Sequence, residues 1–154
     1  RPARSANLAP DHDGVQVLNY YSGLHMKQKQ GVTILLVEDD TFLANIYKTK
    51  FEMEGFTVDV VENGQDGLDT AKKKKPDIVL LDILLPKMDG FTVLKKMKAD
   101  DGLKNVPVIL LTNLGQKDDV EKGLELGAAD YLIKAHFKPS ETVEKVKKAL
   151  GRSS

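Results

Sequence analysis

Five apolar runs of strand length recur along this chain, and a segment with helical spacing separates each from the next. They are VTILLV at 32–37, TVDVV at 57–61, DIVLLD at 77–82, PVILLT at 107–112 and DYLI at 130–133. The first, third and fourth are almost continuously apolar, as strands covered on both faces must be. Alternating strands and helices need crossover connections, which are right-handed and leave the strands parallel. The expected fold is α/β: a doubly wound, five-stranded parallel sheet with helices on both faces.

The helical segments have readable faces and ends. TFLANIYKTKFEMEG at 41–55 places Leu43, Ile46, Tyr47 and Phe51 on one face, with Thr41 as N-cap candidate and Gly55 as stop. Gly64 to Lys75 is a helix ended by Pro76, and its lysines at 72–75 read as a solvated end, where cations suit the dipole. Gly90 to Ala99 carries Phe91, Leu94 and Met97 at a spacing of three. Gln116 to Leu126 is closed by Gly127. Ser140, after Pro139, is expected to cap a last helix bearing Val143, Val146 and Leu150.

Residues 1–31 lack this rhythm and stand apart as an N-terminal tail. His25-Met26 resembles a cloning-site junction, which would make the tail vector-derived and Met26 the native start. The alternative is a genuine extension that docks Val15, Val17, Leu18 and Tyr21 on a neighbour. The ordered unit is expected over 32–150, with 151–154 as a short C-terminal tail. The formal net charge is zero over 154 residues, so nothing global points to a nucleic acid or an anionic membrane. There is no cysteine, which suits a reducing compartment. No apolar run approaches the ~20 residues that span a bilayer. A cytoplasmic location is expected.

Chemistry gathers at the strand ends. Glu38, Asp39 and Asp40 follow the first strand, Asp82 ends the third, Thr112 ends the fourth and Lys134 follows the fifth. In open doubly wound sheets, ligands bind outside the carboxyl ends of the strands, where the strand order reverses. In the order 2-1-3-4-5 the first and third strands flank that point, and the acids fall there. Each acid has a plainer reading as the N-cap of the next helix, and Asp40 is read that way. All-oxygen ligands without His or Cys call for a hard cation, Mg²⁺ before Ca²⁺. A carboxylate can also attack phosphorus to give an aspartyl phosphate. Phosphoryl transfer needs positioning and charge neutralisation more than a general base.

The segments ILLVEDD, PDIVLLDILLPKMDG, PVILLTN and GAADYLIK, in this order and spacing, resemble the receiver domain of bacterial two-component response regulators. The resemblance covers residues 32–150 and implies the flavodoxin-like arrangement. It implies Asp82 as phosphoacceptor, Asp39 as a direct Mg²⁺ ligand, Glu38 as a ligand through water and the backbone carbonyl of Leu84 as a further ligand. Thr112 and Lys134 would bind the phosphoryl oxygens, and Tyr131 occupies an aromatic switch position. The plainer reading of Tyr131 is a strand aromatic packed on the last helix. A sensor histidine kinase or histidine phosphotransfer protein is the implied donor. A downstream protein partner is expected on the 116–150 face, with no direct nucleic acid or membrane contact. The chain is expected as a monomer or weak dimer.

The reading that follows is a stand-alone phosphorylation switch, not an enzyme except in assisting its own phosphorylation and dephosphorylation. The alternatives are a receiver fragment of a longer regulator, an aspartate-nucleophile phosphohydrolase, or a pseudo-receiver that only binds partners. The hydrolase needs a second Asp two residues after the nucleophile, where Leu84 stands. The pseudo-receiver should lack a pocket residue, and none is missing. Leu84 and Leu114, each two positions past a pocket residue, are expected to slow hydrolysis of the phosphate. One departure from the family pattern stands out: the family's pocket lysine precedes a cis proline, but Ala135 follows Lys134. A cis bond there costs ~2.5–4 kcal/mol. It is nevertheless expected, because Lys134 is tied to the sheet.

Overall fold

β-Branched and leucine side chains crowd the apolar runs, and such residues suit a pleated surface buried on both sides. A computed structural model of the chain describes residues 31–113, 117–134 and 138–151. The expectations for the N-terminal tail, for Leu114, for the Lys134–Ala135 bond and for the last three residues lie outside these. In chain order the elements are β1 (Thr33–Val37), α1 (Thr41–Met53), β2 (Thr57–Val61), α2 (Gly64–Lys74) and β3 (Ile78–Asp82). There follow α3 (Gly90–Lys98), β4 (Val108–Thr112), α4 (Lys117–Glu125), β5 (Asp130–Ile133) and α5 (Pro139–Ala149).

The five strands form one parallel sheet in the order β2-β1-β3-β4-β5, as expected. Its register sets the geometry of the carboxyl edge. Val37 is level with Leu81, so Glu38 is brought beside Asp82. Asp82 is level with Leu111, and Thr112 with Ile133. Thr112 and then Lys134 therefore step outward by one residue per strand.

Side-chain alternation divides the core into two layers. Ile34, Leu36, Ile78, Leu80, Ile109 and Leu111 point to one face and pack with Ala44, Tyr47 and Phe51 of α1 and Val143 and Val146 of α5. Leu35, Val37, Val79, Leu81, Val108 and Leu110 point to the other, against Leu68 and Ala71 of α2 and Val93, Leu94 and Met97 of α3. Each fully buried leucine of this kind contributes about 1.5–3 kcal/mol. The strands are thus held rigidly behind the edge that carries the polar residues.

Of the two cap candidates for α1, Asp40 holds the position, as its plainer reading has it, and its Oδ1 accepts from the Leu43 amide at 3.0 Å. Aspartate wins because its carboxylate reaches an unpaired amide of the first turn. Two other local expectations are corrected. The buried face of α1 is Ala44–Tyr47–Phe51, while Ile46 turns outward beside exposed Phe42 and Met53. Ser140 does not cap α5. Lys138 holds that position without a side-chain hydrogen bond, and Pro139 begins the helix. Proline suits this place, since its missing N–H would have no helical partner and its φ is preset.

The α2 terminus agrees with the solvated reading. Lys72 to Lys75 are exposed, and Lys74 pairs with Asp59 at 3.3 Å. Lys75 ends the helix in the left-handed region, at φ 47°. A side chain there is strained, whereas glycine is not. Lys75→Gly is therefore expected to raise stability by about 0.5 kcal/mol, the left-handed strain relieved less the entropy glycine loses on folding. Urea unfolding midpoints of the two proteins check this; a lower midpoint for the variant would contradict it.

Candidate functional site

The carboxyl edge assembles its acids from two neighbouring strands. Glu38, immediately after β1, is fully buried, and Asp82, the last residue of β3, is nearly so. Burial of bare carboxylates is costly unless charge or hydrogen bonds compensate. Here Lys134 supplies the charge. Its Nζ lies 2.7 Å from Asp82 Oδ2, to which it donates, and 2.6 Å from Glu38 Oε1. The contact with Glu38 is an ion pair rather than an aligned hydrogen bond. Backbone amides hold the remaining oxygens: Asp40 N donates to Glu38 Oε2 at 3.0 Å, and Leu84 N to Asp82 Oδ1 at 3.3 Å.

These contacts set the protonation of the cluster. Burial raises the Glu38 carboxyl above its ordinary range, the Asp82 charge adds to this, and the Lys134 and Asp40 contacts oppose it. Burial pulls Lys134 downward, but the close contacts and charges of Asp82 and Glu38 outweigh it and push the ammonium above its ordinary value. The lysine therefore stays charged. Tyr47, buried in α1, has its phenol held above the ordinary range by burial and by the charges of Glu38 and Asp82. It remains protonated beneath the acids.

Asp39 completes the group from the solvent side. It is exposed, and ligating oxygens of Glu38, Asp39 and Asp82 come within 4.8 Å of one another. Among the described residues, these three carboxylates face one ammonium, so the cleft keeps an excess of negative charge. All the side-chain donors are hard oxygens. Such a set suits a small divalent cation that keeps some of its water, as Mg²⁺ does.

The structure thus brings together Glu38, Asp39, Asp82 and Lys134. Thr112, buried, ends β4 one step beyond Asp82 in the register. Leu84, two residues after Asp82, is 68% exposed. Tyr131 is half-buried on β5, with Lys145 of α5 over its ring at 5.1 Å and donating to its carbonyl at 2.8 Å. The residue packs with the core layer on the α2–α3 side of the sheet, and Lys145 reaches it from α5.

Sequence reasoning missed two features. One is the second partner of Lys134, Glu38, which no spacing reveals because four strands intervene in the chain. The other is Gly90. Its N donates to Ile83 O at 2.8 Å, and a Cβ on it would collide with the carbonyl oxygen of Asp82. The signal was present, since glycine is a poor helix former yet begins α3 in MDG.

Comparison with known proteins agrees with this geometry. The profile of the response regulator receiver domain matches residues 34–147. The DNA-binding dual master transcriptional regulator RpaA of Synechocystis is 37% identical over 120 residues, covering 78% of this chain and 49% of that protein. The DNA-binding response regulator MtrA of Mycobacterium tuberculosis is 41% identical over 120 residues, covering 78% and 51%. The chain therefore spans about half the length of these relatives. A putative response regulator from Chloroflexus aurantiacus superposes with a TM-score of 0.75 at 35% identity, over 79% of this chain and 98% of that one. The receiver domain of a sensor histidine kinase from Pseudomonas aeruginosa, solved with a magnesium ion in its active-site cleft, gives 0.72 at 30%, over 78% and 98%.

Removing the ammonium tests the electrostatic description. Lys134→Met should cost roughly 3 kcal/mol at pH 7, the usual penalty for stranding a buried charge. A carboxyl whose folded pKa is raised contributes stability at low pH and loses it as pH rises through that value. Glu38 is such a group, and more so without Lys134. The deficit of the variant should therefore shrink between pH 7 and pH 5. Urea unfolding of both proteins at the two pH values measures it, and an equal deficit at both would contradict the account.

Proposed function

The chain belongs to the response regulator receiver domain family, and from that premise we propose that it is a phosphorylation switch whose phosphoacceptor is Asp82. The observation that carries this is the placement of Asp82. It is a buried carboxylate at the end of a rigid strand, in ionic contact with Lys134 and grouped with Glu38 and Asp39. A sensor histidine kinase or a histidine phosphotransfer protein would supply the group. The Asp82 oxygen forms a P–O bond as the P–N bond of the donor's phosphohistidine breaks.

Glu38, Asp39, Asp82 and the backbone carbonyl of Leu84 are the residues that would hold Mg²⁺. When bound, the ion supplies positive charge against the phosphoryl oxygens. Lys134 would turn its ammonium from Asp82 to one of those oxygens, and the Thr112 hydroxyl would donate to another. No general base is needed, because phosphoryl transfer to a carboxylate rests on positioning and charge neutralisation. Leu84 stands where an aspartate-nucleophile hydrolase needs its second Asp, so turnover of external phosphate esters is not expected.

Incubation with acetyl phosphate and Mg²⁺ should add one phosphate to the wild-type chain by intact-mass analysis. Asp82→Asn, or removal of the metal with a chelator, should abolish it. Equal labelling of the variant would place the phosphate elsewhere.

The signal would leave through the 116–150 face. In α4 the one fully buried described residue is Gly123, so this helix has few anchors and belongs to the low-stability part of the domain. Drawing Thr112 toward a phosphoryl group would bias pre-existing states of β4, α4 and Tyr131. Beryllofluoride with Mg²⁺ should change hydrogen exchange in α4, β5 and α5. Changes confined to α1 would refute this route.

Two arrangements of the whole protein are in play. In one the receiver stands alone in the cytoplasm and acts on a protein partner as a monomer or weak dimer. In the other it is the receiver portion of a longer regulator, which the half-length match to DNA-binding relatives supports. The native reading frame distinguishes them. No described helix is long and apolar enough to cross a membrane.

A further inference from the structure

The backbone that follows Asp82 is bent and braced in a way the phosphoacceptor role does not by itself require. Met88 N donates to Pro86 O at 2.7 Å, a bond across two residues, and Lys87 between them has φ 68°. This is the γ-turn with positive φ, the rare and strained form. A non-glycine residue persists there only when its surroundings over-determine it. The surroundings are supplied by α2. Gly64 N, at the start of that helix, donates to the same Pro86 carbonyl at 3.2 Å. Gly64 is buried, and a Cβ on it would overlap the Met88 carbonyl oxygen.

The brace is itself firmly mounted. Asn63 caps α2, accepting from Asp66 N at 2.8 Å. Leu68 and Ala71 seat the helix in the core. Gly67 lets it lie on Val37, to whose Cγ2 a Cβ would stand 3.0 Å away, and Val37 directly precedes Glu38. One helix thus touches the strand that delivers Glu38 and the loop that follows Asp82. At the other end of that loop, Gly90 N is bonded to Ile83 O. Between the two ties lies Leu84, whose amide holds Asp82 Oδ1.

We propose that Gly64 is a positioning residue for the cleft: it braces the γ-turn at Lys87 and so fixes the Leu84 backbone against Asp82 and the metal-binding carboxylates. This rests on the reading of the cleft as a Mg²⁺ site. Gly64→Ala forces the Met88 carbonyl away from α2. Lys87→Pro forbids the positive φ while leaving α2 untouched, and among the described residues the Lys87 amide makes no backbone hydrogen bond that would be lost. Gly127→Ala serves as control. It strains a glycine at φ 105° that packs on Lys98, away from the loop.

The experiment is amide NMR of the full chain, first metal-free and then titrated with Mg²⁺, with a thermal melt of each variant. Gly64→Ala and Lys87→Pro should each move the Leu84 amide resonance in the metal-free protein and weaken Mg²⁺ binding about tenfold, the usual effect of losing support behind a ligand. Gly127→Ala should lower the melting temperature and do neither. If Gly64→Ala does not fold, Lys87→Pro decides alone. A folded variant with an unmoved Leu84 amide overturns the proposal, as does one with wild-type Mg²⁺ affinity. If the wild type itself binds no Mg²⁺, the metal reading fails, and the Leu84 resonance still decides whether Gly64 positions that backbone.

Discussion

One ammonium group stands between two buried carboxylates, and the carboxyl edge of this sheet depends on it. Without Lys134, Glu38 and Asp82 would face each other buried and unscreened, two like charges with no cation between them. With it, both oxygens nearest the centre are held at ion-pair distance. Three carboxylates and one lysine still leave the cleft negative. That residual charge makes the site receptive to a dication and, through it, to a phosphoryl group.

The sheet makes this arrangement possible. Parallel strands end at one edge, so residues far apart in the chain meet there with the spacing of the ladder. The two core layers clamp the strands on both faces, which fixes Asp82 and Thr112 to the precision of packed side chains. The loops are less constrained, and two glycines compensate. Gly90 lets the backbone of α3 approach the Asp82 carbonyl, and Gly64 does the same for the γ-turn. Rigid strands and close-fitting loops together preorganise a site in which positioning is most of the chemistry.

The output side is built differently. Tyr131 is half-buried, its ring under Lys145, and α4 is anchored by little beyond a glycine set against Leu110. A pocket on immobile strand ends beside a weakly held helix is a sensible division for a switch. In the proposed switch, charge would change on the packed strand ends and the response would fall on the helix with fewer buried side chains.

The amino-acid pattern alone determined the α/β class, the parallel sheet and the identity of the strand-end residues; the strand order came with the family resemblance. It could do so because buried parallel strands must be continuously apolar, and a polar residue at their ends is conspicuous. It left Asp40 and Thr41 both as cap candidates, and it misread Ser140 for Lys138 as a cap and Ile46 as a core residue of α1. Neighbouring residues of similar type compete for such places, and a small rotation of a helix changes which one faces inward. Only the tertiary structure decided that Lys134 bridges Glu38 and Asp82, and that Asp39 stays exposed while Glu38 is buried. It alone brought α2 against the loop after Asp82. Those facts depend on the register between strands and on contacts between backbone atoms, which carry no signature in the side-chain pattern.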